Sequence, residues 1–335
     1  MRDEQRRTVL ITGVTGQDGI YLARLLRGRG HHVVGVAPPG AMPPELCAAY
    51  LDDVELVPLD ICDRDDVQRV VDATQPDEVY NLAAVSSVAR SWEQPEATFA
   101  VNHAAVETLV HALLGLRSRT GREPRFFQAS SAEVTGSAAH SPYAQAKAAA
   151  EEVVREARDR DGLHACCARL YNHESPLRTT AFVTGKIARG VAEVAAGQRT
   201  ELRLGNLEVS RDWGFAGDYV DAMRRMVDAD EPHDLAIGTG TAHRLADLLS
   251  VAFAAVGIED PTPYVVTDPD LVRPADTAVL GADPEPAAAA LGWRATTSFD
   301  DLVRHMVAVD QQRLRTGVDH DPRYLEPPRW SRRSR

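Results

Sequence analysis

The stretch VLITGVTGQDGIYLARLL, residues 9 to 26, allows few folds: an apolar, β-branched run breaks at Gly13, Gly16 and Gly19 and then continues with helical spacing. A strand feeding a helix through a glycine turn opens a crossover unit, and the amino-terminal half repeats that rhythm. HHVVGVA, VELVPLD and EVYNLAA read as strands, with a helix near Asp65 to Ala73. A long helical stretch from Pro95 to Leu116 leads to the strand RFFQASS, and a helix from Tyr143 to Arg160 leads to LHACCARLYN. Apolar strands separated by helices imply a parallel sheet covered on both faces. The expected fold class is α/β, a Rossmann-like doubly wound parallel sheet of about six strands before residue 173, followed by a smaller C-terminal substrate-binding lobe. The boundary falls between 1–172 and 173–335, with HDLAIGTG at 233–240 expected to return to the sheet.

A net charge of −12 and a pI near 5.4 exclude an extended nucleic-acid surface, which needs clustered Lys and Arg. A local basic spot for a small anion remains compatible with that balance. The four cysteines have neither a disulfide-framework nor a zinc spacing, so reduced, buried filler is expected for Cys47, Cys62, Cys166 and Cys167, and no metal site. No apolar run reads as a membrane span and the start lacks a signal-peptide core, so a cytoplasmic protein without a membrane or nucleic-acid partner is expected. The basic tail PRWSRRSR reads as a solvated terminus.

Chemically, the glycine turn lets the main chain approach a diphosphate and aims a helix N-terminus at it, which points to a dinucleotide. An isolated match of this kind is equally compatible with an ordinary tight turn; its place after the first strand of a parallel sheet favours the dinucleotide. At the end of the second strand an acid would select the ribose diol of NAD and an arginine the 2′-phosphate of NADP. Here the chain has VVGVAPPGAMPP, with neither charge, so NAD and NADP both stay open. In PLDICD, Asp60 or Asp63 reads either as a helix cap or as a partner for an adenine amino group.

QASSAEVTGSAAHSPYAQAK, residues 128 to 147, gathers Ser131, Glu133, Tyr143 and Lys147. Tyr143 and Lys147 are four apart at the start of a helix and share a face, where an ammonium would lower the phenol's pKa and fit it for acid/base work. Ser131 follows a strand whose carboxyl end points to the ligand crevice of an open α/β sheet. Continued extension would put Glu133 on the same side as Ser131. A cap for Ser131 and a solvated Glu133 are the plain alternative; His140 reads as capping or solvent-facing.

ITGVTGQDGIYLARLL, YNLAAVSSVA, RFFQASSAEV, SPYAQAK, YNHESP, FVTGKI, LGNLEVSRDWGFAGDYVDAM, RPAD and LGW occur in that order over most of residues 8 to 300. Together they resemble the extended short-chain dehydrogenase/reductases of nucleotide sugars, and within them the GDP-mannose 4,6-dehydratase family. The resemblance makes 1–172 a dinucleotide-binding domain and 173–335 mainly a nucleotide-sugar-binding lobe. It implies a tightly bound, recycled NAD or NADP contacted by Gly13, Thr15, Gly16, Gln17, Asp18, Gly19, Asp60, Ile61, Leu82, Ala83, Ala84, Tyr143 and Lys147. It implies nucleotide-diphosphate-sugar contacts at Ser86, Asn172, Glu174, Val183, Lys186, Arg211, Arg273 and Asp276. By the same resemblance Tyr143 takes the proton of the sugar 4-hydroxyl, Ser131 orients that hydroxyl, Lys147 tunes Tyr143 and holds the nicotinamide ribose, and Glu133 removes the C5 proton as the 6-hydroxyl leaves. For Lys186 a solvated helix surface, and for Arg211 an ion pair with Asp212, are the structural alternatives.

The chain also departs from the family pattern. APPGAMPP stands where the family carries a basic, serine-rich segment that reaches a neighbouring subunit, which makes a homodimer the expected assembly in place of the family tetramer. Leu177, Thr180 and Gly185 occupy positions of a family arginine, glutamate and second arginine, and only SAAH stands where a longer loop precedes SPY. A shorter cover over the site suggests a larger or differently shaped sugar. Two other functions compete with dehydration: a nucleotide-sugar C4 epimerase, which needs no C5 base, and a non-catalytic nucleotide-sugar sensor, which needs no activated phenol.

Overall fold

A computed structural model describes residues 6–135, 137–271 and 279–326, without the side chains of 137 and 138. In chain order the strands of the first half are β1 (Thr8–Thr12), β2 (His32–Ala37), β3 (Glu55–Pro58), β4 (Glu78–Asn81), β5 (Arg125–Ser131), β6 (His164–Leu170) and β7 (Asn172–Glu174). They are followed by β8 (Leu202–Leu204), β9 (Ser210–Phe215), β10 (Leu235–Ile237), β11 (Ala242–Arg244), β12 (Val265–Thr267) and β13 (Val279–Leu280). The helices used below are α1 (Gln17–Gly28), α2 (Pro44–Tyr50), α3 (Arg64–Thr74), α4 (Val88–Glu93), α5 (Pro95–Phe99), α6 (Ala105–Thr120), α7 (Pro142–Asp161) and α8 (Val183–Ala195).

Two compact units divide the chain: Met1–Leu170 with Val220–Ile237 and Pro286–Trp293, and Tyr171–Tyr219 with Gly238–Glu285 and Arg294–Arg335. Of the 233–240 expected to return, residues up to Ile237 group with the first unit, as part of the longer Val220–Ile237, whereas 238–240 group with the second. Within that unit a seven-stranded, all-parallel sheet has the order β10-β6-β5-β4-β1-β2-β3. The chain leaves β1 toward β2 and β3, then returns to the other side of β1 with β4. That reversal between β1 and β4 is the switch point where ligands of doubly wound sheets bind. Strand composition follows from burial on both faces: Val9, Leu10 and Ile11 of β1 and Ala165 to Ala168 of β6 are all buried.

The segment Pro95–Thr120, α5 and α6 joined by a π-turn at Ala100–Ala104, corrects one expectation. Its most apolar 18-residue window has a mean hydropathy of 1.3, so by length and composition alone the helix could cross a membrane. Its apolar residues, among them Val106, Leu109, Val110, Leu113 and Leu116, instead fill the core with Val67, Val70 and Val71 of α3 and Val154 of α7. Cysteine usage is also split: Cys166 and Cys167 are buried filler, whereas Cys62 is exposed and Cys47 is half-buried. In the second unit β9 pairs antiparallel with β11 and parallel with β13 and β7.

Candidate active site

Two glycines shape the first part of the site. Gly13 ends β1 with φ of 68°, and a Cβ there would lie 2.9 Å from the Ala83 nitrogen. Gly19 sits in the first turn of α1, where a Cβ would lie 2.5 Å from the Gly13 carbonyl oxygen, so only glycine lets α1 start this close to the strand. Gly16 forms the N-cap of α1 with no side-chain cap, and its own N–H donates to the Gly13 carbonyl at 3.0 Å. The result is a backbone cradle that any side chain would fill, at the positive end of a 12-residue helix. Gln17 Nε2 donates to Asp18 at 3.1 Å beside it, and Thr15 is half-buried in the turn. A Cβ would force the turn off Ala83 and move its N–H groups away from a diphosphate; losing one hydrogen bond to a charged group costs about 1.5–3 kcal/mol, so Gly13→Ala is expected to weaken NAD(P)H binding at least about ten-fold, read by nucleotide fluorescence, with circular dichroism unchanged.

The opposite wall is set by residues that sequence reasoning missed. Thr12, buried at the end of β1, donates its hydroxyl to Asn81 Oδ1 at 2.6 Å and accepts the N–H groups of Leu82 and Ala83, each at 3.1 Å. Asn81 passes a bond on to Gln128 of β5 at 2.8 Å. Asn102, in the π-turn, bonds both main-chain groups of Val85, accepting at 2.8 Å and donating at 3.1 Å. This chain of buried amides and a hydroxyl fixes Leu82, Ala83 and Ala84 and the approach to the exposed Ser86. Polar residues within apolar runs, as in VYNLAA, were the available signal.

At the end of β3 the two readings of PLDICD separate. Asp63 caps α3, accepting from Asp65 and Asp66 N–H at 2.9 and 3.1 Å, while Asp60 accepts the Cys62 N–H at 2.9 Å in a turn before it. Ile61 packs its side chain in the core, leaving only its main chain to face a ligand.

The catalytic candidates meet where β5 runs out. Ser141 caps α7 by accepting the Ala144 N–H at 3.1 Å, Pro142 occupies the first turn, and Gly162 in the left-handed region ends the helix. Tyr143 and Lys147 therefore lie on the buried face of the first turns, 8% and 2% exposed. Lys147 Nζ donates to the Ala129 carbonyl of β5 at 2.8 Å. Burial pushes its pKa down to about 8, against the opposing pull of Cys167 and Glu151. Ser131 Oγ accepts the Glu133 N–H at 3.2 Å, capping a 3-10 turn at Ala132–Val134. That turn corrects the expected alternation: Glu133 reaches its place by a tight turn, not by continued extension. The cap leaves the Ser131 hydroxyl proton for another acceptor. His140 is exposed, with Ser141 as the cap.

The second unit holds the expected nucleotide contacts separately. Asn172 and Glu174 lie on β7, and Glu174 is buried with Oε2 accepting from Arg178 Nε at 2.6 Å and Thr184 Oγ1 at 2.7 Å. Its carboxylate thus holds the turn before α8. Val183 and Lys186 share a face of the first turn of α8, exposed and half-buried. Gly185 between them has no room for a side chain, since a Cβ would lie 2.4 Å from the Thr179 carbonyl oxygen. Arg211 is buried on β9 and donates to the Ser210 carbonyl at 2.9 Å. The Asp212 carboxylate accepts from Thr239, Gly240 and Ala282. Arg273 and Asp276 lie outside the described residues. One further signal was legible but unread: of 37 basic residues only Lys147 and Lys186 are lysine. A buried lysine can adjust its charge where arginine cannot.

The parallel sheet, its glycine cradle at the switch point and the Ser/Glu/Tyr/Lys group define an extended short-chain dehydrogenase/reductase of the nucleotide-sugar type, a class of NAD(P)-dependent enzymes. The family model for GDP-mannose 4,6 dehydratase matches residues 10–306. The chain belongs to the GDP-mannose 4,6-dehydratase family. It is 38% identical over 327 residues to GDP-mannose 4,6 dehydratase 2 of Arabidopsis thaliana, covering 92% of this chain and 87% of the relative. It is 37% identical over 350 residues to the GDP-mannose 4,6-dehydratase of Sinorhizobium fredii, covering 92% and 98%. Among solved structures it is similar to the UDP-glucose 4-epimerase of Thermus thermophilus in complex with NAD, with a TM-score of 0.76, 25% identity and coverage of 91% and 99%.

Proposed function

We propose that the protein is a nucleoside-diphosphate-sugar 4,6-dehydratase that converts a hexose unit to its 4-keto-6-deoxy form with loss of water. The observation that carries this reading is the turn after β5, which sets Glu133 two residues beyond Ser131 while α7 carries Tyr143 and Lys147. A C4 epimerase needs the last three but has no use for a carboxylate base. The Gly13, Gly16 and Gly19 cradle fits the diphosphate of a nicotinamide dinucleotide, with Asp60 in reach of the adenine end and Lys147 at the nicotinamide ribose. A nicotinamide held there would supply the hydride chemistry, as acceptor at C4 and donor at C6, with no net consumption of the cofactor.

Each protein group then has one task. Ser131 orients the sugar 4-hydroxyl with the proton its cap leaves over. Tyr143 takes the proton of that hydroxyl, as tyrosinate stabilised by the Lys147 ammonium. Once C4 is a ketone the C5 proton is acidic; Glu133 removes it and, as the carboxylic acid so formed, protonates the 6-hydroxyl, which leaves as water while the C5–C6 double bond forms. Lys186 and Arg211 are the candidates to supply charge for the nucleotide diphosphate. A homodimer in the cytoplasm is the expected working state.

The test is incubation of the protein with a panel of nucleotide sugars in deuterated water, followed by mass and NMR analysis. A product lighter by one water, with deuterium at C5, is expected. Isomerisation without exchange would instead establish the epimerase, the activity named for the Thermus thermophilus structure, and no turnover on any sugar would establish a binding protein.

A further inference from the structure

Helix α7 carries a third charged side chain that this mechanism leaves unused. Glu151 follows Lys147 by four residues, as Lys147 follows Tyr143, so the three form one stripe along the helix. Its carboxylate is held from two strands at once. Oε1 accepts the Ser130 hydroxyl of β5 at 2.6 Å and Arg169 Nε of β6 at 3.0 Å, and Oε2 accepts Arg169 Nη2 at 2.7 Å. Ser130 and Arg169 are themselves paired in register across the sheet, one rung before Ser131 and Leu170. Three successive residues of β5 are therefore occupied by the site: Ala129 by Lys147, Ser130 by Glu151, and Ser131 by the Glu133 turn.

We propose that Glu151 is a positioning residue for the Tyr143 and Lys147 pair: through Ser130 and Arg169 it sets the register of α7 on the sheet, and its negative charge keeps Lys147 in the ammonium form. This rests on the reading of Tyr143 and Lys147 as the acid/base couple. Stability alone does not explain the arrangement, because the Arg169 side chain is 45% exposed and such a pair contributes only about 0–1 kcal/mol. Ser130, by contrast, is buried, and its short bond fixes the helix axially where Ser131 must meet the same substrate group as Tyr143.

The electrostatic part follows from what surrounds Lys147. Desolvation lowers its pKa, Cys167 of β6 and Glu151 are the groups whose charge opposes that shift, and the balance lies at about 8. Tyr143 shares its helix face. The Cys167 thiol is itself pushed well above its ordinary value by burial, so it is neutral near pH 7 and Glu151 is the standing charge of the two. Beyond Glu151 stands Arg169, whose own charge is offset by Glu151 and Asp234. Without the carboxylate, Lys147 loses its proton at lower pH, and Tyr143 loses the cation that activates it.

The chain's two lysines make a direct test possible without cofactor or substrate. Protein labelled with 13C at lysine Cε gives two side-chain signals, assigned with Lys186→Arg. The Lys147 midpoint near pH 8 is expected to fall by about one pH unit in Glu151→Gln, and to stay within about 0.3 unit in Glu151→Asp, which keeps the charge. The alkaline limb of kcat/KM should move down by the same amount in Glu151→Gln and recover in Glu151→Asp, with thermal melts of both variants as the control for folding. An unmoved Lys147 midpoint in folded Glu151→Gln, or equal shifts in both variants, overturns the inference. Failure of the wild type to turn over any sugar would instead overturn the proposed function, and it leaves the lysine titration readable.

Discussion

Glu133→Gln is expected to lower water elimination by about 10²- to 10⁴-fold, the usual range for loss of a positioned acid/base group, while leaving oxidation at C4 intact. The amide keeps the shape of the turn, and the bond that forms it comes from the Glu133 main-chain N–H to Ser131, which the substitution does not touch. Ser131, Tyr143 and Lys147 therefore stay in place. The variant should form reduced nicotinamide on mixing with substrate, without deuterium entering C5 and without a dehydrated product. Wild-type dehydration by Glu133→Gln would remove the residue from the mechanism and leave the scaffold to epimerisation. Tyr143→Phe separates the steps from the other side, since it should abolish reduced nicotinamide as well.

Asp212→Ala is expected to destabilise the second unit by at least about 3 kcal/mol. The carboxylate is fully buried and accepts the Thr239 N–H at 3.0 Å, the Thr239 hydroxyl at 2.6 Å and the Gly240 N–H at 2.9 Å, with the Ala282 N–H at 3.3 Å. The donors are half-buried or exposed and can turn to water, but a hydrogen bond to a charged group contributes about 1.5–3 kcal/mol, so three such losses outweigh any gain from removing a desolvated charge. Because β9 also carries Arg211, the same change should loosen the proposed diphosphate contact. Hydrogen exchange is the discriminating measurement: amides around 238–244 and 279–282 should lose protection while β1 to β6 keep theirs. Uniform protection in the variant would show that Asp212 is dispensable.

Much of the site was legible because its chemistry is local in sequence. Gly13 to Gly19 lie within one strand-to-helix turn, and Ser131 to Lys147 within one turn-and-helix segment, so spacing alone brings their groups close. Thr12, Asn81, Gln128 and Asn102 were not legible, because their partners are 17 to 71 residues away and nothing in a single segment marks a bond across strands. At Glu174 the fold adds a structural task that the motif does not show, since its Oε2 accepts from Arg178 and Thr184. At Pro95–Thr120 a span-like composition serves a core helix, because apolar patterning records burial without saying in what.

By itself, then, the sequence determined the alternation of strand and helix, the parallel sheet, the glycine turn and the four candidate side chains proposed for the chemistry, since each depends on contacts along a short stretch of chain. Only the tertiary structure decided how those groups are held. It ties α7 to β5 and β6 through Glu151, buries Lys147 deeply enough to bring its pKa to about 8, and turns Glu133 out of the strand through Ser131. The physical reason is that desolvation and cross-strand hydrogen bonding depend on what surrounds a residue in space, and that is absent from its neighbours in the chain.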